Sequence, residues 1–251
     1  MNIIINADDL GMSQEVNDAT FALMDQGLVT SASIIANSPK AEEASARIAS
    51  YPQCSFGIHL NVTEFRPLTD AGSLSPLLDT NGKFVSERLW EISIDSKLTA
   101  GIFEEFSAQF ERLTDLGVQI SHIDSHHHVH TLPRIFPVLK RIQKRFQIRK
   151  VRITKNVYGV RDKAPTALRI KKSLYNFLLK TYYRTKTTQG FTDFKLFCEY
   201  ALTKEMHHKT CELMIHPGNQ FYDQTEVELL RGPWRDFLGF PVRLINYRDL
   251  V

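Results

Sequence analysis

The stretch Asn2–Ala36, "NIIINADDLGMSQEVNDATFALMDQGLVTSASIIA", sets the architecture. Ile3–Asn6 is a short β-branched run of the kind a buried strand uses. Ser13 stands where a helix N-cap belongs, and Val16, Ala19, Leu23 and Met24 come after it at helical spacing. Gly27 suits that helix's C-terminus, and Val29–Ala36 reads as a second strand. Strand, loop, helix, strand is the βαβ unit, whose strands run parallel.

The alternation continues along the chain. A helix begins near Pro39 and runs to Ser50; Cys54–Val62 is a strand. After a less regular excursion (Thr63–Thr99, carrying Trp90), a helix over 100–116 leads to a strand in "VQISHID". Thr131 and Pro133 open the next helix, and "VRIT" at Val151–Thr154 reads as strand. "ALRIKKSLYNFLLKTYY" reads as helix; "FKLF", "ELMIH" and "VRLINY" read as later strands. About seven such repeats in 251 residues predict one domain over 1–251, a (β/α) barrel of parallel strands, with an open doubly wound sheet as the alternative. No GxGxxG or GxxxxGK[ST] occurs to cradle a nucleotide phosphate.

Composition narrows the function. The chain is 43% hydrophobic and nets only +3, so no nucleic-acid partner is expected. The basic run Lys140–Arg152 is interleaved with Ile142, Phe146 and Ile148 and reads as a solvated helix face. Cys54, Cys198 and Cys211 fit neither CxxC nor a disulfide framework, and read as buried thiols of a reducing compartment. With no basic n-region and no long apolar run, the expectation is a cytoplasmic protein without a membrane partner; a homodimer is a common outcome for such a fold.

The chemistry gathers at strand ends. Asp8 and Asp9 come directly after the first strand, and His59 sits near the end of the third. Asp124 closes "VQISHID", His126 stands two residues beyond it, and His216 ends "LMIH". In parallel α/β folds the site forms at that rim. "SHIDSHHHVH", Ser121–His130, holds five of the nine histidines. Imidazole and carboxylate together suit one divalent cation, zinc or a similar metal, with a position open for water. At a strand-to-loop corner one aspartate of the pair can ligate while the other takes a proton. Each residue alone has a bland reading: a lone histidine is usually structural, and aspartates before a helix often serve only its dipole. Period two puts His122, Asp124 and His126 on one face, so only part of the histidine run can reach a metal.

"NADDLGMS", "GIHLNVT", "HIDSHHHVHTLPRIFPV" and "MIHPG" resemble, in order and across almost the whole chain, the signature blocks of the YdjC-like carbohydrate deacetylases, the family of chitooligosaccharide (diacetylchitobiose) deacetylases. The resemblance implies a distorted (β/α) barrel related to the NodB-like polysaccharide deacetylases. It implies a metal, magnesium being allowed, on Asp9, His59 and His126, with Asp8 as general base and His216 as candidate general acid. The substrate implied is an N-acetylated mono- or oligosaccharide. Around this centre, Asp124 and His128 are candidates to hold a ligand or line the substrate pocket, and Arg152 to orient Asp8. His130 is a further candidate for the pocket wall, and His127 is expected to face away. Two other readings compete: a non-haem iron oxygenase on His122, Asp124 and His216, which would need oxygen and a keto acid, and a non-catalytic sugar- or metal-binding protein.

Overall fold

The computed structural model describes residues 1–70, 72–158, 164–202 and 207–250. In chain order the strands and helices are β1 (Asn2–Leu10), α1 (Gln14–Asp25), β2 (Ser31–Ile34), α2 (Ala41–Arg47), β3 (Ser55–Leu60), α3 (Ser86–Glu91) and α4 (Ser96–Asp115). Next come β4 (Ile120–Ser125), α5 (Phe136–Phe146), α6 (Thr166–Thr181), β5 (Gly190–Asp193), α7 (Phe194–Ala201), β6 (Thr210–Ile215), α8 (Thr225–Arg231) and β7 (Arg243–Leu244). Ser13 caps α1 through the Val16 N–H, and Gly27 takes a positive φ just after the helix, as their positions predict.

Seven strands form one parallel sheet, in the order β4-β3-β2-β1-β6-β5 with β7 beside the start of β1. The extended segment 149–156 then bridges the two edges. It exchanges hydrogen bonds with Ile123 of β4 on one side and with Lys186, and then Phe191 of β5, on the other. The ring is thereby a distorted barrel rather than the open sheet held as the alternative. "VRIT" forms a single bridge, Val151 to Ile123, beside the Lys150–Lys186 bridge just before it, and then runs free of regular pairing, which is why it is not a strand. "FKLF" is corrected more sharply. The strand is Gly190–Asp193, and Phe194–Phe197 begin α7, with Phe194 and Phe197 packed edge-on against the buried Trp234. Two of the three aromatic or aliphatic residues of that run lie three apart, on one helix face. No described helix is long and apolar enough to cross a membrane.

The barrel has two unlike faces. Ile3, Ile5 and Ala7 of β1 join the large apolar cluster under the helices, while Ile4 points inward to Ile245, Tyr247 and Leu250 at the barrel's floor. Above Ile4 the inward positions turn polar: Asn6 bonds both Asp8 and Ser33 inside the barrel. The floor is made by the C-terminal segment. Tyr247 is wholly buried, stacks on His122 with ring centroids 3.6 Å apart, and donates its hydroxyl to Glu212. The His122 ring fits only because residue 57 is glycine; a Cβ there would stand 2.3 Å from it.

Gly57→Ala should therefore overpack the floor and destabilise the fold by about 1–3 kcal/mol. Denaturant unfolding checks this, and an unchanged midpoint would contradict the stacking described.

Candidate metal centre and active site

Asp8 and Asp9 are consecutive, and on a regular strand they would point to opposite faces. The pairing register of β1 with β2 shifts between Ala7 and Leu10, and Asp9 takes φ +66°. That left-handed corner is costly for a residue with a Cβ, and aspartate is among the few that tolerate it. It turns both carboxylates into the mouth of the barrel, where both are buried.

They meet different partners. Asp8 is held in a bidentate pair by Arg152, at 2.6 Å to each oxygen. Burial would raise its pKa, but the guanidinium outweighs burial and holds the carboxyl below its ordinary value. Asp9 faces two imidazoles: its Oδ1 lies 3.3 Å from His59 Nε2 and 2.8 Å from His126 Nδ1. Asn219 donates to the other Asp9 oxygen at 2.9 Å.

His59 is fixed from behind. Its Nδ1 lies 2.7 Å from Asp124 Oδ1 and 3.1 Å from Ser33 Oγ. An ionised carboxylate can only accept, so Nδ1 carries the proton and the Nε2 lone pair is aimed at Asp9. A lone pair facing a carboxylate in a buried cluster calls for a cation between them. Burial works against a charged His59, yet Asp124, Asp9 and Asp8 push its pKa up to about 10, and Asp9 with Glu64 pushes His126 up to about 8. The protons that these rings attract mark where positive charge is wanted. Tetrahedral ligands about 2.1 Å from a zinc-like ion stand roughly 3.4 Å apart, close to the 3.3 Å between His59 Nε2 and Asp9 Oδ1. His126 turns Nδ1 to Asp9, and its Nε2 lies 3.3 Å from Glu64 Oε2. The donor set of two imidazoles and one carboxylate thus fits a divalent transition metal.

Two other groupings of donors exist among the described residues. Asp8, His59 and Asp124 are drawn together, but Arg152 already occupies both carboxylates. Glu64, His126 and His127 form the third, at a more open edge. His122, Asp124 and His216 are not grouped among the described residues, so the oxygenase ligand set is not assembled.

The histidine run divides by position. After β4 the backbone winds tightly over His126–Thr131, with His127 at φ +49° and His128 at φ +54°. His126 is swung toward Asp9. His127, expected to face away, lies against the His126 ring and bonds Thr63. His128 turns inward: its Nδ1 is buried without a partner, and burial with Arg152 pushes its pKa down to about 4. His130 corrects the expectation of a pocket residue. It is wholly buried between Ser125 and the Arg152 carbonyl, and so braces the loop.

His216 lies at the end of β6, its ring stacked flat on Tyr222 at 3.6 Å. Its backbone N–H donates to Glu226 at 2.6 Å. Burial pulls its imidazole below the ordinary pKa, against the opposing charges of Asp8 and Asp9. Sequence reasoning missed Asn219, Ser33, Glu212 and Tyr247. The first stands in the same "MIHPGN" block as His216, and Glu212 is a lone acid inside an otherwise apolar strand, which was the available signal.

A family model described as "YdjC-like protein" matches residues 2–236. The chain belongs to the YdjC-like family. A protein named carbohydrate deacetylase from Geobacillus stearothermophilus is 40% identical over 145 residues, 58% of this chain and 57% of that one. Another so named, from Vibrio cholerae, is 34% identical over 148 residues, 59% of this chain and 57% of the relative. The match thus spans little more than half the length of these relatives. A crystal structure from Enterococcus faecalis, provisionally described as a cellobiose-phosphate cleavage protein, superimposes with a TM-score of 0.78 at 22% identity, covering 100% of this chain and 98% of that one. The two chains therefore share a fold over nearly their full lengths.

Two measurements test the geometry. His59→Ala or His126→Ala should abolish stoichiometric binding of a divalent metal, whereas His128→Ala should retain it. Asp124→Asn, which leaves His59 without its anionic anchor, should weaken metal affinity by roughly 10–100-fold. Metal titration by calorimetry reads both; full affinity in His59→Ala would refute this ligand set.

Proposed function

We propose that this YdjC-like chain is a metal-dependent deacetylase that hydrolyses the acetamide of an N-acetylated sugar. The observation that carries the reading is the separation of two adjacent aspartates, Asp9 onto His59 and His126 and Asp8 onto Arg152. A site that only binds has no need of a second, separately held carboxylate. The relatives named carbohydrate deacetylase point the same way.

Asp9, His59 and His126 would hold the metal, which when bound supplies Lewis acidity to the amide carbonyl and lowers the pKa of a water. Two nitrogens and one oxygen favour zinc or a similar ion, while the family resemblance allows magnesium. Asp8, kept ionised by Arg152, accepts the proton of the attacking water. His216 donates a proton to the departing sugar amine, its ring plane fixed by Tyr222. Asn219 holds the Asp9 carboxylate in place from its far oxygen, and His128 lines the interior beside Arg152. Three free thiols, two of them buried, suit a reducing, cytoplasmic setting.

The test is acetate release from N-acetylglucosamine and its short oligomers, with and without chelator. Chelation should stop turnover, and zinc or magnesium should restore it. Asp8→Asn should keep its metal and lose roughly 100-fold or more in kcat. Chelator-resistant acetate release, or near-normal turnover in Asp8→Asn, would overturn the mechanism.

A further inference from the structure

The charge of this chain is segregated. Residues 125–192 carry seventeen of the thirty-one Lys and Arg against a single acid, Asp162, while the remainder carries fourteen against twenty-seven Asp and Glu. A net charge of +3 conceals a strongly basic segment joined to an acidic remainder. Among the described residues of this segment, Arg152 is the one Lys or Arg that is fully buried.

Helix α6 is the centre of the basic region. It contains Arg169, Lys171, Lys172 and Lys180 and no acid. Its buried face is narrow: Tyr175, Asn176 and Leu179. At about 100° per residue, Ile170, Leu174 and Phe177 fall within about 60° of one another on the opposite side, pointing away from the protein. They are 63%, 57% and 62% exposed, and Tyr182 just beyond the helix is 58% exposed. Arg169 and Lys180 flank this apolar stripe on one side and Lys171 on the other. Further cations stand on α5 and in the turn after α6. Lys140 binds the carbonyls of Leu179 and Tyr182, Arg149 lies over Tyr183, and Lys144, Arg149, Arg184 and Lys186 are exposed. A cleft of about 620 Å³ has Ile170 and Phe177 of the stripe in its wall, together with Arg169, Lys172, Lys180 and Tyr158.

An outward apolar stripe between rows of cations, on a helix without acids, is the pattern of a helix that lies in a membrane interface. We infer that α6 and the adjoining basic surface dock this protein on an anionic phospholipid bilayer. Ile170, Leu174 and Phe177 enter the acyl boundary, and the cationic cleft receives headgroup phosphate. A second copy of the chain fits this surface poorly. Pairing α6 with itself would oppose eight cations with no acid in either helix, and one short stripe buries far less than a stable dimer needs. A purely ionic polyanion would leave the apolar stripe without a role. The inference concerns the surface only and needs no spanning helix, of which there is none among the described residues; it departs from the expectation of no membrane partner, which rested on the lack of a long apolar run.

The test is co-sedimentation of the full chain with vesicles of phosphatidylglycerol and phosphatidylcholine, against phosphatidylcholine alone. Binding is expected only to the anionic vesicles, weakening steeply as salt rises. Phe177→Ser and the double variant Lys171→Glu/Lys180→Glu should each weaken binding roughly tenfold or more while acetate release in solution is unchanged. No binding to anionic vesicles would overturn the inference. So would binding that survives Phe177→Ser but not charge reversal, which marks a generic polyanion patch, or a dimer in solution that Phe177→Ser dissolves.

Discussion

One guanidinium holds the interior of this barrel together. Arg152 is wholly buried, with the carboxylates of Asp8, Asp124 and Glu212 all within 2.8 Å and the Phe191 ring 4.8 Å away. Isolated, such a charge would be intolerable away from water; with partners removed one at a time, a buried ion pair of this kind costs about 3–5 kcal/mol. The arrangement is equally a device of geometry. A single planar cation fixes Asp8, the proton acceptor of the proposed reaction, and Asp124, the anchor of His59. Base and metal ligand therefore keep their separation because both are tied to the same rigid fork. Behind it, Glu212 and Tyr247 carry the fixing down to the barrel floor, where His122 and Gly57 complete the packing.

Local backbone strain completes what the guanidinium begins. Asp9, His127 and His128 all take left-handed conformations, at about 1–2 kcal/mol each for residues with a Cβ. All three flank the donor cluster. The first splits two neighbouring aspartates between two tasks. The other two swing His126 onto Asp9 while sending His128 to the opposite side of the loop, toward Arg152. Strain of this kind persists only where surrounding contacts over-determine it, and here His130, Ser125 and the Arg152 carbonyl do so.

The legible part of this fold was its alternation, and with it the rim where Asp8, Asp9, His59, His126 and His216 collect. Parallel strands place their carboxyl ends together whatever the register, so residues at strand ends could be gathered without knowing any contact. What escaped depended on contacts between distant segments. "FKLF" has an apolar content that suits strand or helix alike, and packing on Trp234 decided it. "VRIT" forms one bridge, at Val151, within a segment that hydrogen-bonds to the two sheet edges in turn. His130 looks no different in sequence from His128, yet one braces the loop and the other faces the interior, a distinction set by two φ angles. Asn219 and Tyr247 bring polar groups to Asp9 and to Glu212 from the far end of the chain, and no local pattern announces that reach.

The most direct test of this account is the anomalous scattering of a crystal of the protein loaded with zinc or manganese. The account predicts one peak per chain, bound by Asp9, His59 and His126, with Asp8 still paired to Arg152. A peak held instead by Asp8, His59 and Asp124, or by Glu64, His126 and His127, would contradict it.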